Sequence, residues 1–131
     1  MLHESRTISI RIDREPAAVY RFVADLANFP DWASSFCLAI SLTPDGWLAR
    51  TPQGPVTIRL APPNNFGVLD HYVTPAGGTE LYVPLRVVAN GTGSEVIFTL
   101  FRLPGMSAEA FAADAKMVEQ DLATLKAVME R

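Results

Sequence analysis

SAEAFAADAKMVEQDLATLKAVME, Ser107–Glu130, reads as one long amphipathic helix at the end of the chain. Phe111, Ala115, Val118, Leu122, Leu125 and Met129 recur at spacings of four and three, which sets them on a single apolar stripe. Lys116, Glu119, Gln120, Lys126 and Glu130 lie mostly off it. Ser107 follows Pro104-Gly105 and suits an N-cap. Met106 and Phe111 then occupy the two positions of a hydrophobic staple, and Glu109 sits where the helix dipole favours an acid. A helix of this length spans roughly 36 Å, the breadth of a small domain.

Upstream, short apolar runs are punctuated by turn signals. These are Pro44-Asp45-Gly46, Thr51-Pro52-Gln53-Gly54-Pro55, Pro62-Pro63-Asn64-Asn65, Pro75-Ala76-Gly77-Gly78 and Asn90-Gly91-Thr92-Gly93. The runs between them read as strands: Phe36–Leu42, Trp47–Thr51, Val56–Ala61, Phe66–Val73, Leu81–Ala89 and Glu95–Arg102. Short loops between consecutive strands predict an antiparallel meander. Symmetric pairing about the turns sets Leu42 beside Trp47, Ala49 beside Ile58, Leu85 beside Phe98 and Val87 beside Val96. His71 then falls beside Val56 and Leu81.

Period-two alternation turns these pairings into faces. One face carries Phe36, Leu38, Ile40 and Leu42, then Trp47, Val56, Ile58 and Leu69. It continues through Leu81, Val83, Leu85 and Val87 to Val96, Phe98 and Leu100. The opposite face is mixed polar, with Ser41, Arg50, Thr57, Arg59, Asp70, Glu80, Arg86, Glu95 and Thr99. A one-residue slip at Pro62–Asn65 would reverse the faces of the earlier strands relative to the later ones.

The N-terminal third adds a half-buried strand through Ile8, Ile10 and Ile12, then a helix from Pro16 to about Asp25. Pro16 suits the first helical position, and Val19, Phe22, Val23 and Leu26 make the apolar side. Phe29-Pro30-Asp31-Trp32 breaks that helix and can start another short turn.

With 131 residues and 49% hydrophobic content, the chain is read as one α+β domain, 1–131, with a single core. No apolar run approaches a membrane span, and no secretory signal opens the chain. A lone cysteine, Cys37, placed on the outer face, fits a reducing, cytoplasmic setting. A net charge of −3 with interspersed signs argues against nucleic acid as a partner.

Three segments together carry a family resemblance. They are Ile8-Ser9-Ile10-Arg11-Ile12, Pro16 through Asp25, and Asn28-Phe29-Pro30-Asp31-Trp32. This opening resembles that of the SRPBCC superfamily, the START-like and birch-pollen-allergen-like helix-grip group with bacterial polyketide cyclase/dehydrase-like members. The resemblance implies a β-α-α-β6-α fold, a curved antiparallel sheet wrapped around the C-terminal helix, and an apolar cavity between them. It implies no one activity, since the superfamily spans lipid carriers, aromatase/cyclases and dioxygenase domains. No residue here matches a cyclase active site one by one.

The expected cavity lining is drawn from the apolar face and the helix stripe. The sheet supplies Phe36, Leu38, Ile40, Trp47, Ile58, Leu69, His71, Leu81, Val83, Leu85, Phe98, Leu100 and Arg102. The helix supplies Phe111, Ala115, Val118 and Leu122. His71 is the sharpest candidate, because burial favours its neutral ring. It could hold a ligand's polar group, act as a general acid/base, or be a core histidine satisfied by a neighbour. Arg102 could reach a ligand carboxylate at the cavity mouth or extend to solvent. Trp47 is the expected stacking surface and Trp32 the packing one. Asp70, Tyr72, Glu80 and Arg86 read as a solvated sheet surface.

Metal ligation is not expected from His3, His71 and Cys37, which share no ligand spacing, and no cofactor is expected. Two functions are weighed first: carriage of a lipid, polyketide or aromatic compound by a monomer or homodimer, and cyclase/dehydratase-like catalysis with His71 as acid/base. A third is an interaction module that meets a protein partner through its exposed surface.

Overall fold

The computed structural model describes residues Met1–Arg131. Strand β1 (Ser5–Ile12) leads into helix α1 (Pro16–Ala24), a 3₁₀ turn (Leu26–Asn28) and the short helix α2 (Phe29–Trp32). The meander follows as β2 (Ala39–Thr43), β3 (Gly46–Thr51), β4 (Gly54–Leu60), β5 (His71–Pro75), β6 (Leu81–Val83), β7 (Leu85–Asn90) and β8 (Gly93–Phe101). Helix α3 (Ala108–Met129) closes the chain. The architecture is the α+β helix-grip fold, with an antiparallel sheet on the long helix. The strands form two ladders, β1-β8-β7 and β2-β3-β4-β5-β6. No helix is long and apolar enough to cross a membrane.

Two hairpins share one turn chemistry. Thr43-Pro44-Asp45-Gly46 and Thr51-Pro52-Gln53-Gly54 each place the glycine at positive φ. In each, the threonine hydroxyl donates to the glycine carbonyl at 2.7 Å and accepts from the residue before the glycine. The loop of the second turn is therefore Pro52-Gln53, which sets Ala49 opposite Val56, not Ile58. The pairs Leu42–Trp47, Leu85–Phe98 and Val87–Val96 are as read from sequence. His71 stands opposite Leu60 and Val83 instead of Val56 and Leu81. Each displacement is an even number of residues, so the faces survive.

The run Phe66–Val73 becomes strand only from His71. Asn64 takes over the backbone of the preceding loop. Its Oδ1 accepts from the N–H groups of Phe66 and Val68, and its Nδ2 donates to the carbonyls of Pro62 and Val68. Those groups are then lost to a ladder. Val68 keeps a single bridge to Arg86, which joins the two ladders.

The run Leu81–Ala89 is split at Pro84, which has no N–H to donate. Before it β6 pairs with β5, and after it β7 pairs with β8. Asp70 fastens this switch and is buried, contrary to the solvated surface expected for it. Its Oδ1 accepts from Leu85 N (2.9 Å) and Arg86 Nε (2.8 Å). Its Oδ2 accepts from Arg86 Nη2 (2.8 Å) and the Tyr82 hydroxyl (2.7 Å). Arg86 and the two further donors hold the carboxyl down at about 2.

Cys37 also departs from its expected outer position. The N–H groups of Phe36 and Cys37 both bond the Ala33 carbonyl, so a turn follows α2 and β2 begins only at Ala39. Within that turn Cys37 is 1% exposed, and burial pushes its thiol up to about 11. The thiolate is the reactive form. Cys37 is therefore expected to resist a water-soluble disulfide reagent at pH 8 until denaturant is added. Prompt labelling of the folded protein would contradict this packing.

The ends of the chain lock α3 in place. Ser107 caps it by accepting from Ala110 N at 3.0 Å. At the far end, Arg14 donates to the Met129 carbonyl, Lys126 to the Arg11 carbonyl, and Glu130 accepts from Asp13 N. The helix thereby buries Leu122, Leu125 and Met129 in the core that also contains Val19, Val23, Phe29, Leu85 and Val96.

Candidate ligand cavity

A cavity of about 460 Å³ lies between α2, α3, the β3–β4 turn and the inner faces of β5, β6 and β8. Its walls are mainly Phe29, Trp32, Phe36, Val56, Val73, Leu81, Val83, Phe98, Leu100, Met117 and Val118. Its polar groups come from His71, Thr51, Gln53, Asp114 and Asp121. The size and apolar character fall within the range of small-molecule sites.

β5 brings His71 to the inner face, where its ring meets Phe29 and Phe98 edge-on at centroid distances of 5.8 and 6.5 Å. Nδ1 lies 3.2 Å from the Leu69 carbonyl oxygen. A carbonyl only accepts, so Nδ1 carries the proton and Nε2 presents a lone pair. No protein group donates to Nε2. Burial lowers the His71 pKa, outweighing the Leu69 bond and the Asp70 charge, and keeps the ring neutral.

Trp32 is 2% exposed, and its buried Nε1–H has no hydrogen-bond partner. It packs on Phe29 with centroids 5.3 Å apart, so Trp32 and His71 flank the same phenyl ring. The cavity thus holds an unmet acceptor, His71 Nε2, while the unmet Trp32 Nε1–H is closed off within its wall.

Helix α3 contributes a second polar edge. Asp114, Met117, Val118 and Asp121 follow one another at spacings of three, one and three, along one side of the helix. Asp121 is buried and accepts from Ser35 N at 2.9 Å. Asp114 is half-buried and has no hydrogen-bond partner. Burial raises the pKa of both.

Of the residues expected to line a cavity, Phe36, His71, Leu81, Val83, Phe98, Leu100 and Val118 come together here. Leu69, Leu85, Phe111, Ala115 and Leu122 are instead buried in packing away from it. Ile40 is half-buried against the core. Trp47 and Ile58 border a different, more open groove of about 640 Å³ with Tyr20, Arg59 and Tyr72. Leu38 and Leu42 are exposed, because β2 is an edge strand and Leu42 sits at its hairpin tip. Arg102 turns outward, donating to Glu4 and to the Met106 carbonyl at 3.0 Å each. Trp32, Asp114, Met117 and Asp121 were missed as cavity residues. The helical spacing of the last three was the available signal.

The helix-grip fold of this chain is shared with several solved structures. Solved structures with this fold include a START superfamily protein from Mycobacterium smegmatis, with 13% identity and a TM-score of 0.72 over 96% of this chain and 97% of that one. Ara h 8.0201 has 11% identity and a TM-score of 0.72, over 96% and 97% of the two chains. The Zhui aromatase/cyclase from a Streptomyces species has 12% identity and a TM-score of 0.73, over 99% and 95%. No family model and no curated protein sequence matches the chain.

Proposed function

We propose that this protein binds and carries a hydrophobic small molecule, such as a lipid, polyketide or aromatic compound, in the cavity beside His71. The reading rests on one observation: a cavity of about 460 Å³, mostly apolar, whose neutral imidazole has Nε2 unpartnered. Pockets of this kind bind by apolar contact and orient by a few polar groups. A ligand hydroxyl can meet the free acceptor by donating to His71 Nε2. The lone, buried Cys37 supports a cytoplasmic setting.

His71→Leu is expected to weaken an aromatic alcohol such as 1-naphthol by about tenfold, one lost hydrogen bond. His71→Gln, which keeps an acceptor, should recover part of that loss. Calorimetric titration checks both. Unchanged affinity in His71→Leu would remove His71 from the contact. Native mass spectrometry of the purified protein should show a co-purified apolar molecule or uptake of an added one.

Cyclase/dehydratase-like chemistry is the second reading, favoured by the free Nε2 and by an aromatase/cyclase among the fold neighbours. A neutral imidazole can accept a proton from a bound polyketide, and the cavity wall would supply orientation. Against it, His71 Nδ1 is held by a carbonyl and not by a carboxylate that would orient and stabilise the imidazolium directly. Turnover of a polyketide chain that disappears in His71→Gln would decide for the enzyme.

A further inference from the structure

His71 Nε2 is the polar side-chain atom that the chain leaves open inside the cavity. The residue is 5% exposed, and its Nδ1–H is taken by the Leu69 carbonyl. Among buried side-chain nitrogens and oxygens without a partner, only Trp32 Nε1 is sealed from solvent. Nε2, equally without a partner, therefore opens onto the cavity that His71 lines. The other polar side chains of the lining are occupied or less deeply placed. Thr51 Oγ1 donates to the Gly54 carbonyl and accepts from Gln53 N. Asp121 accepts from Ser35 N, Gln53 is exposed and Asp114 is half-buried. What surrounds the imidazole is aromatic. Phe29 and Phe98 meet it edge-on, at 82° and 72°, and Trp32 and Phe36 continue the wall.

We infer that the ligand is a phenol, a flat aromatic ring among Phe29, Phe36 and Phe98 whose hydroxyl donates to His71 Nε2. The inference rests on the cavity-binding reading and narrows its lipid, polyketide or aromatic ligand to one class. The Leu69 carbonyl fixes the tautomer, and the tautomer fixes the direction of the bond. A ketone or an ether only accepts. It leaves Nε2 without the water that it displaces, and a buried acceptor with no donor is costly. An aliphatic alcohol donates, but a phenol donates more strongly. Its hydroxyl is far more acidic, yet with a pKa of about 10 it keeps its proton at pH 7. Its ring also gains edge-to-face contacts with the phenylalanines that a saturated ring or a flexible chain lacks.

The test titrates the full chain calorimetrically at pH 7 with three probes of one bicyclic skeleton: 1-naphthol, 1-methoxynaphthalene and decahydro-1-naphthol. 1-Naphthol is expected to bind about tenfold more tightly than its methyl ether, the effect of one hydrogen bond. It should bind at least about threefold more tightly than the saturated alcohol. In His71→Leu the gap between 1-naphthol and the ether should close, with the ether itself not weakened. In His71→Gln, whose amide both accepts and donates, the gap should narrow from both sides. Unchanged circular dichroism checks the fold of both variants. An ether that binds wild type as tightly as 1-naphthol would overturn the inference and leave the cavity reading standing. So would a gap that survives His71→Leu, or a saturated alcohol that binds as tightly as 1-naphthol. If none of the three associates by calorimetry or native mass spectrometry and no apolar molecule co-purifies, the cavity reading itself falls, and the inference with it.

Discussion

Asp70→Ala lowers the stability of the protein by about 3 kcal/mol at pH 7, and the effect shows as a drop in melting temperature of about 10 °C. The carboxylate is 7% exposed and takes four hydrogen bonds. Alanine returns none of them. The Leu85 N–H is then buried without a partner, since Leu85 is wholly inside. Arg86 is less costly to strand, because its side chain is 46% exposed and can turn to water. That exposure keeps the loss at the lower end of the range for broken buried ion pairs.

The same residue sets an acid response. Its folded pKa of about 2 lies below the ordinary 3.8, so its contribution is present in full above pH 4. It is lost as pH falls through 2, and amounts to about 2 kcal/mol. Asp114 and Asp121 act in the opposite direction. Their folded pKa values are raised, so the protein gains from their protonation as pH falls. Urea melts of wild type and Asp70→Asn at pH 7 and pH 3 separate the two. The difference between the proteins should shrink at pH 3. A difference independent of pH would mean that the Asp70 charge is not what holds the sheet switch.

The alternation of apolar residues carried most of the fold. Register errors of two and four residues left every face intact, because a face depends only on whether a displacement is odd or even. What alternation could not convey was the length of strand that loops consume. Asn64 draws the backbone of Phe66 and Val68 to its own amide, and a polar side chain at a turn does not announce which N–H groups it will take. Asp70 was misplaced for a related reason. Its position on the outer face is correct, yet the chain crosses that face where β6 gives way to β7, so the outer side is covered there by Tyr82 and Arg86.

The cavity was legible by location more than by lining. His71 stood out as a polar residue on an apolar face. The helix stripe misled, because Phe111, Ala115, Leu122, Leu125 and Met129 are the residues α3 buries most fully. A cavity beside a helix is bordered by the flank of its apolar stripe, where Asp114, Met117 and Asp121 lie. Hydrophobic periodicity finds the centre of the stripe and passes over its edge.

Gly67→Ala is expected to cost about 3 kcal/mol or more, the other large effect in this chain. Gly67 has φ +71°, where an added side chain costs about 1–2 kcal/mol. A methyl group there would also strike the Val87 carbonyl oxygen, with the Val87 carbonyl carbon at 3.1 Å and Cγ1 at 3.2 Å. The obstacle is backbone, and it cannot retreat freely. Val87 N donates to the Gly67 carbonyl at 2.9 Å, so separating the two chains breaks the bond that draws them together. Overpacking of this kind adds about 1–3 kcal/mol. Gly91→Ala is the control: φ is +59° there, but nothing lies within 4 Å of the added carbon, so only the conformational part applies. Equal losses in the two variants, measured by urea unfolding, would show that Gly67 and β7 are not in close approach. The consequence reaches the cavity, because Gly67 lies beside the Val68–Arg86 bridge, where the ladder carrying His71 meets the ladder carrying Phe98. A chain forced apart at that seam should lose affinity for an apolar dye at denaturant concentrations where Gly91→Ala still binds it.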